Sequence, residues 1–513
     1  MSWRRKQTAM LAGLTALTGL WCVPALVKGG DAAVDAKAIR ARVPNLEPLR
    51  KRWEEVRRAR GIAGLSIVVV QGEDVIYSET LGERNPETHQ PVTMDSMFYI
   101  ASCTKSYMAL GIMTLVEEGK VSLDDPVKKY LPRFELSDAK ATATLTIRDL
   151  LSHAKGLDSG EAVFLDAFSG EITEDRYYHW LRKSKPSGSF DYTNVHYTLL
   201  GRVAEAVTGQ SWKEFLKARI FEPSGMYHTT AYASEMYGAD NAAIPCDHNG
   251  TSIVPCAVRK TDRVMHAAGG LGTSAADAAR WLKLNINGGV VDGKRIISEK
   301  SLTAMHKLQA KGFIRERVPN MKREGYGFGW FVGTYHGKRF VEHGGGYAGT
   351  STTIGFMPEY NLGVAVLANG SSSLSQRVAA TIYDELLDLE RGNLMDQLEA
   401  SCAKQLKRMK QWHKKFADRP VTRDSLSLPA SKYAGRYYTE HWGAVTVKSQ
   451  GDGLSVHLGD LPLQLLSAGK DKLDVSMMPG NLMPAKFVLD GSGGVSAFVY
   501  EDEDYGEISF ARQ

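Results

Sequence analysis

The chain has 513 residues, 43% hydrophobic, 24% charged and 9% aromatic, which leaves room for about three domains with ample core and excludes a disordered, collagen-like or multi-span membrane chain. Its 63 Lys and Arg against 58 Asp and Glu give a net charge of +5, too thin an excess over this length to point to a nucleic-acid partner. Five cysteines in a chain this long exclude a disulfide scaffold.

Arg4, Arg5 and Lys6 precede an apolar run from Thr8 to Val27. Residues 1–30 therefore read as a secretory signal or an N-terminal anchor. The run exceeds the ~7–15 residues of a usual signal core, so an uncleaved anchor and membrane association through it stay open. The bulky Trp21 ahead of Cys22 argues against a lipoprotein signal. Export to a periplasmic or extracellular space is expected.

Residues 31–393 read as one domain. Leu65 to Leu81 alternate and turn at Gly72-Glu73-Asp74, predicting a β-hairpin. Ser102 to Glu118 is apolar on nearly all sides and stops at Gly119, predicting a central buried helix. Further helices are expected over Leu145–His153 and Leu199–Ile220. Cys246 and Cys256 frame a loop holding Pro, Asn and Gly; a disulfide and two free thiols are both open, and the spacing is not that of a metal site. Strands are expected at Gly329–Val332, Arg339–Glu342, Thr352–Phe356 and Gly363–Leu367, then a helix over Ser375–Leu389. A sheet from both ends of the domain with helices inserted between is an α/β architecture with an all-α subdomain.

Residues 394–428 form a basic helix and linker. Leu394, Leu398, Leu406, Met409, Trp412 and Phe416 make one stripe, expected to dock on a neighbouring domain rather than on an anionic membrane. Over 429–513 short alternating segments recur at ~8–12-residue spacing, the pattern of a small all-β, barrel-like domain.

The chemistry begins with what is missing: there is no G-x-S-x-G elbow, Walker motif or Rossmann fingerprint. S-x-x-K occurs at Ser102–Lys105, Ser137–Lys140, Ser152–Lys155, Ser401–Lys404 and Ser467–Lys470, so context must choose. Only Ser102 follows an extended stretch and opens an apolar helix, where free N–H groups stabilise a developing anion. The i, i+3 spacing puts Lys105 on the same face. Burial there disfavours its charge and lets it act as a base. Tyr192-Thr193-Asn194 is the one Y-x-N among 21 tyrosines, in a Gly/Ser/Pro-rich loop before a helix. His343-Gly344-Gly345-Gly346 follows a predicted strand, and its glycines let substrate approach the backbone. H-x-G also occurs at His248 and His457.

Ser102–Lys105, Tyr192–Asn194 and His343–Gly345, in this order, resemble the three motifs of the serine β-lactamase and penicillin-binding-protein superfamily. The Y-x-N form resembles class C β-lactamases and the related esterases, D-aminopeptidases and DD-peptidases. Leu145–His153, Ala267–Thr273 and Tyr326–Trp330 extend the likeness over about residues 45–390. The resemblance implies an antiparallel sheet flanked by helices and a serine hydrolase working through an acyl-enzyme, with no cofactor or metal. It implies Ser102 as nucleophile, Lys105 as its base, Tyr192 as general acid/base and Asn194 as a substrate-amide partner. The N–H groups of Ser102 and Gly346 would form the oxyanion hole, with His343 and Gly345 beside the substrate. His343 stands where β-lactamases and DD-peptidases carry lysine. A mostly neutral imidazole weakens the case for carboxylate-bearing substrates and favours the esterases and D-amino-acid peptidases. The expected partner is a small-molecule or peptide substrate, cell-wall-derived material among the candidates. The alternatives are a β-lactamase or DD-carboxypeptidase and, from another class, a catalytically silent cell-wall-binding homologue.

Overall fold

The β-branched run Ile67-Val68-Val69-Val70 favours extended backbone and forms the strand Gly64–Gln71 inside a nine-stranded sheet. The structure, a computed structural model, describes residues 36–312, 314, 318–477, 482–502 and 505–513. The segment read as a signal or anchor lies outside the described residues. Sheet order runs Ala310–Lys311, Met321–Tyr326, Phe331–Tyr335, Lys338–Tyr347, Thr350–Met357, Leu362–Ala368, Gly64–Gln71, Asp74–Asn85, Gln90–Pro91. Every neighbouring pair is antiparallel.

The predicted hairpin is present, but its first strand is buried along its whole length. Ile67 and Val69 pack into one core with Trp53, Val366 and Ile382. Val68 and Val70 enter the other core with Trp281 and Leu367. Helices Leu46–Arg60 and Leu374–Leu386 cover one face and Ala275–Ile286 the other, so period-two alternation separates two cores rather than core from water.

Between the two ends of the sheet lies the helical part. The central helix spans Thr104–Glu117, starting two residues later than predicted because Ala101–Cys103 forms a separate 3₁₀ turn. Its apolar sequence is matched by burial of all but its last two residues. Ile147–Ser152 starts at a capping box between Thr146 and Asp149 and ends where His153 turns left-handed at φ 56°. The predicted helix Leu199–Ile220 is broken at Gly209, whose φ of 71° ends helix Asn194–Thr208; the rest is Trp212–Leu216 running directly into a π-helical turn, Lys217–Phe221. Cys103, Cys246, Cys256 and Cys402 are free and buried.

The basic stripe lies on two helices, Leu394–Ala400 and Cys402–Asp418. Leu394, Leu398 and Trp412 are buried, and the stripe docks between helix Leu46–Arg60 and the barrel strand Leu461–Gly469. The C-terminal segment is a closed barrel of eight strands from Gly435–Thr439 to Gly506–Arg512, sealed where Tyr437 pairs with Arg512 and Tyr438 with Ala511. Among the described residues no helix is long and apolar enough to cross a membrane.

One ladder irregularity positions the site. Strand Lys338–Tyr347 pairs with Phe331–Tyr335 only as far as Glu342, opposite Phe331. On its other side pairing continues to Tyr347, opposite Thr350. Residues 343–347 therefore keep one open edge.

Candidate active site

Ser102 sits at that edge. Its turn is held by Thr350, whose hydroxyl donates to the Tyr99 carbonyl at 2.9 Å, and by the Ile100 N–H donating to Leu271 O at 2.9 Å. Ala101 adopts φ 46°, a left-handed conformation costing an alanine about 1 kcal/mol or more. At 345 only glycine fits, since a Cβ would lie 2.0 Å from Ile100 O and 3.3 Å from the Ser102 nitrogen. That contact brings the sheet against the nucleophile turn. Gly346, one residue on, is exposed, and a Cβ there would meet nothing.

Lys105 is fully buried. Its Nζ lies 3.1 Å from Ser102 Oγ, 2.7 Å from Asn194 Oδ1 and 2.7 Å from Ala268 O. Burial pushes its pKa well below the ordinary lysine value. A neutral amine has two N–H donors and one lone pair. The amide oxygen of Asn194 and the carbonyl of Ala268 can only accept, so they take both donors. The lone pair is left to Ser102, whose hydroxyl donates to it.

Tyr192 comes from the loop before helix Asn194–Thr208, and Asn194 opens that helix. Lys105 Nζ lies 4.8 Å from the centre of the Tyr192 ring. Burial raises the Tyr192 pKa, and a hydrogen bond with Ser102 opposes the rise. The ring stacks on Phe331 at 5.7 Å and leans on His153 at 4.6 Å.

His343 lies within its strand rather than after it. It is 1% exposed, with Nδ1 2.7 Å from Gly344 O and Nε2 2.9 Å from the Tyr326 hydroxyl. The carbonyl can only accept, so Nδ1 carries the proton and Nε2 accepts from Tyr326. Burial and the nearby Lys105 push its pKa well below that of free histidine. The third motif is therefore uncharged. The nearby guanidinium of Arg323 is engaged by Glu342 at 2.6 Å through Nε.

The structure thus brings all seven sequence-derived residues, Ser102, Lys105, Tyr192, Asn194, His343, Gly345 and Gly346, to one place. Direct hydrogen bonding joins Lys105 to Ser102 and Asn194, whereas both ring nitrogens of His343 are already occupied. The other S-x-x-K serines lie elsewhere: Ser137, Ser152 and Ser401 donate to the carbonyls of Ser184, Arg148 and Leu398, and Ser467 lies on a barrel strand.

Other residues complete the wall behind Tyr192. His153 Nδ1 lies 2.9 Å from His196 Nδ1, and burial pushes His196 down to about 3 and His153 well below its usual range. Both rings are neutral, so one Nδ1 donates and the other accepts. Tyr326 and Phe331 fill the rest of the wall. His153 and Tyr326 belong to the stretches Leu145–His153 and Tyr326–Trp330, whereas no motif marked His196 or Phe331.

The family model described as Beta-lactamase matches residues 49–388. The chain belongs to the β-lactamase family. Within it, this serine hydrolase is 29% identical over 366 residues to penicillin-binding protein 4 of Amycolatopsis lactamdurans, covering 68% of this chain and 92% of that one. It is 24% identical to penicillin-binding protein 4* of Bacillus subtilis over 453 residues, 85% of this chain and 92% of that one. The octameric penicillin-binding protein homologue from Pyrococcus abyssi has a TM-score of 0.57 at 26% identity, covering 91% of this chain and 99% of that one. The D-amino acid amidase from Ochrobactrum anthropi SV3 shares the fold, with a TM-score of 0.55 at 24% identity over 67% of this chain and 98% of that one.

Proposed function

We propose that the protein is an exported serine hydrolase that cleaves an ester or peptide bond, D-amino-acid derivatives included, through an acyl-enzyme on Ser102. The observation that carries the reading is the Lys105 environment: its amine reaches Ser102 Oγ, Asn194 Oδ1 and Ala268 O, and in the neutral form the two obligate acceptors take both N–H groups and leave the lone pair to Ser102 Oγ. Ser102 Oγ bonds to the substrate carbonyl carbon while its proton passes to Lys105 Nζ. The N–H groups of Ser102 and Gly346 hold the oxyanion. The carbonyl–leaving-group bond then breaks, and the leaving group takes the proton through Tyr192 or Lys105. Water attacks the acyl carbon in the second half, its proton following the same route, and Ser102 is released. Asn194 accepts from Lys105 through Oδ1, and its Nδ2 donor suits a substrate carbonyl.

An uncharged His343 and a paired Arg323 disfavour recognition of a substrate carboxylate beside the scissile bond. This separates the reading from a β-lactamase or DD-carboxypeptidase. A silent receptor would need no amine aimed at a serine. The test is hydrolysis of a short p-nitrophenyl ester by the wild type and by Ser102→Ala. Turnover is expected in the wild type and a loss of roughly 10³-fold or more in the variant; equal rates would refute the assignment.

A further inference from the structure

Tyr347 follows the exposed Gly346 on the same strand and packs into an aromatic cluster beside it. Its ring meets Tyr99 at 5.7 Å and Phe168 at 5.4 Å. Lys260 Nζ lies 4.2 Å from the centre of the Tyr347 ring and donates to Ala167 O at 2.6 Å and Val264 O at 3.2 Å. One buried lysine thus sews together two segments, 165–169 and 260–266, behind Tyr347.

The barrel grips the same two segments from outside. The Asp460 N–H donates to Ser169 O at 2.7 Å. Its carboxylate accepts from the Thr261 hydroxyl and, at 2.9 Å, from Arg263 Nη1. Arg263 Nη2 in turn donates to Gly170 O at 2.6 Å. Gly459, at φ 56°, comes so close that a Cβ would lie 2.1 Å from Ser169 O. Nearby, the Ala444 N–H donates to Glu171 Oε2 at 3.0 Å, and Trp442 of the barrel faces Phe164 at 6.5 Å.

We propose that Asp460 is a positioning residue for the hydrolytic site. Through Ser169, Thr261 and Arg263 it holds the two segments behind Phe168 and Tyr347, and so sets how large an acyl group the cleft admits beside Gly346. The barrel is then part of the specificity apparatus without touching substrate. An exposed ion pair alone would contribute little. Here the carboxylate joins two segments of another domain, and displacements of about 1 Å beside a reacting centre change rates by up to about 10²-fold.

The test compares wild type, Asp460→Ala and Gly459→Ala, each checked for native circular dichroism, on p-nitrophenyl acetate and p-nitrophenyl 4-phenylbutyrate. KM for the large ester is expected to change about tenfold, with kcat and both constants for acetate within about twofold. Hydrogen exchange read alongside should show protection lost at 165–169 and 344–349 in both variants. Equal effects on the two esters, or unchanged exchange at 344–349 in both variants, would overturn the proposal. The kinetic arm rests on the acyl-enzyme reading and the exchange arm does not: no turnover of either ester by any protein would count against that reading, while exchange still decides the role of Asp460.

Discussion

Two buried lysines flank the cleft, and they do opposite jobs. Lys105 and Lys260 are both withdrawn from water and, among the described residues, lack a carboxylate partner at hydrogen-bond distance. Burial lowers both; Lys260, with Asp166 nearby opposing the fall, comes down to about 7. What separates them is the third neighbour of each amine. For Lys105 it is a hydroxyl able to give up a proton; for Lys260 it is the face of Tyr347, which has none to offer. A buried lysine becomes a base through the company of its lone pair, and otherwise it is a fastener.

Lys105→Met should break that contrast most severely, lowering kcat/KM for a simple ester by about 10²–10⁴-fold while the fold survives. In the wild type the base works as the neutral amine, so kcat/KM should rise with pH through a pKa below the ordinary lysine range and then level off. A profile still climbing above pH 10 would contradict the depressed Lys105.

Lys260→Met should act on stability more than on chemistry. Below about pH 7 this lysine is protonated folded and unfolded, and it adds no pH dependence. Above that, the folded state sheds the proton while the unfolded chain holds it to the ordinary lysine value of 10.5. The unfolded state then binds more protons, so wild-type stability rises relative to the variant as pH climbs. Melting temperatures at pH 6.5 and 9.5 check this, and parallel curves would count against it. Smallest of all, Ser137→Ala, Ser152→Ala, Ser401→Ala and Ser467→Ala should each leave ester turnover within about twofold, as changes remote from the reacting atoms do.

The contrast also shows what a one-dimensional reading can reach. Ser102, Lys105, Tyr192 and His343 were legible because local spacing and flanking backbone mark them. Lys260, His196 and Asp460 were not, because each acquires meaning only from a neighbour far away in the chain. The sequence pattern ends the strand holding His343 at Glu342, since three glycines look like a break. The ladder to Thr350–Met357 keeps them extended. In the barrel, Gly506–Arg512 carries only Ile508 and Phe510 inward, too few apolar positions to announce a strand. Leu461–Gly469 was hidden by consecutive leucines that blur the alternation.

The imidazole pair behind Tyr192 has a consequence for proton traffic. His153 and His196 face each other through the same nitrogen type and share one proton between them. Moving that proton alone would leave an anion beside a cation in an apolar wall, and each step of such charge separation is steeply uphill there. Reversing the pair needs a proton to leave the outer nitrogen of one ring and another to reach the outer nitrogen of its neighbour, and both outer nitrogens are buried with no hydrogen-bond partner among the described residues. The pair is therefore an insulator: it blocks a relay from Tyr192 into the helical part and leaves the cleft as the route by which protons enter and leave the reaction.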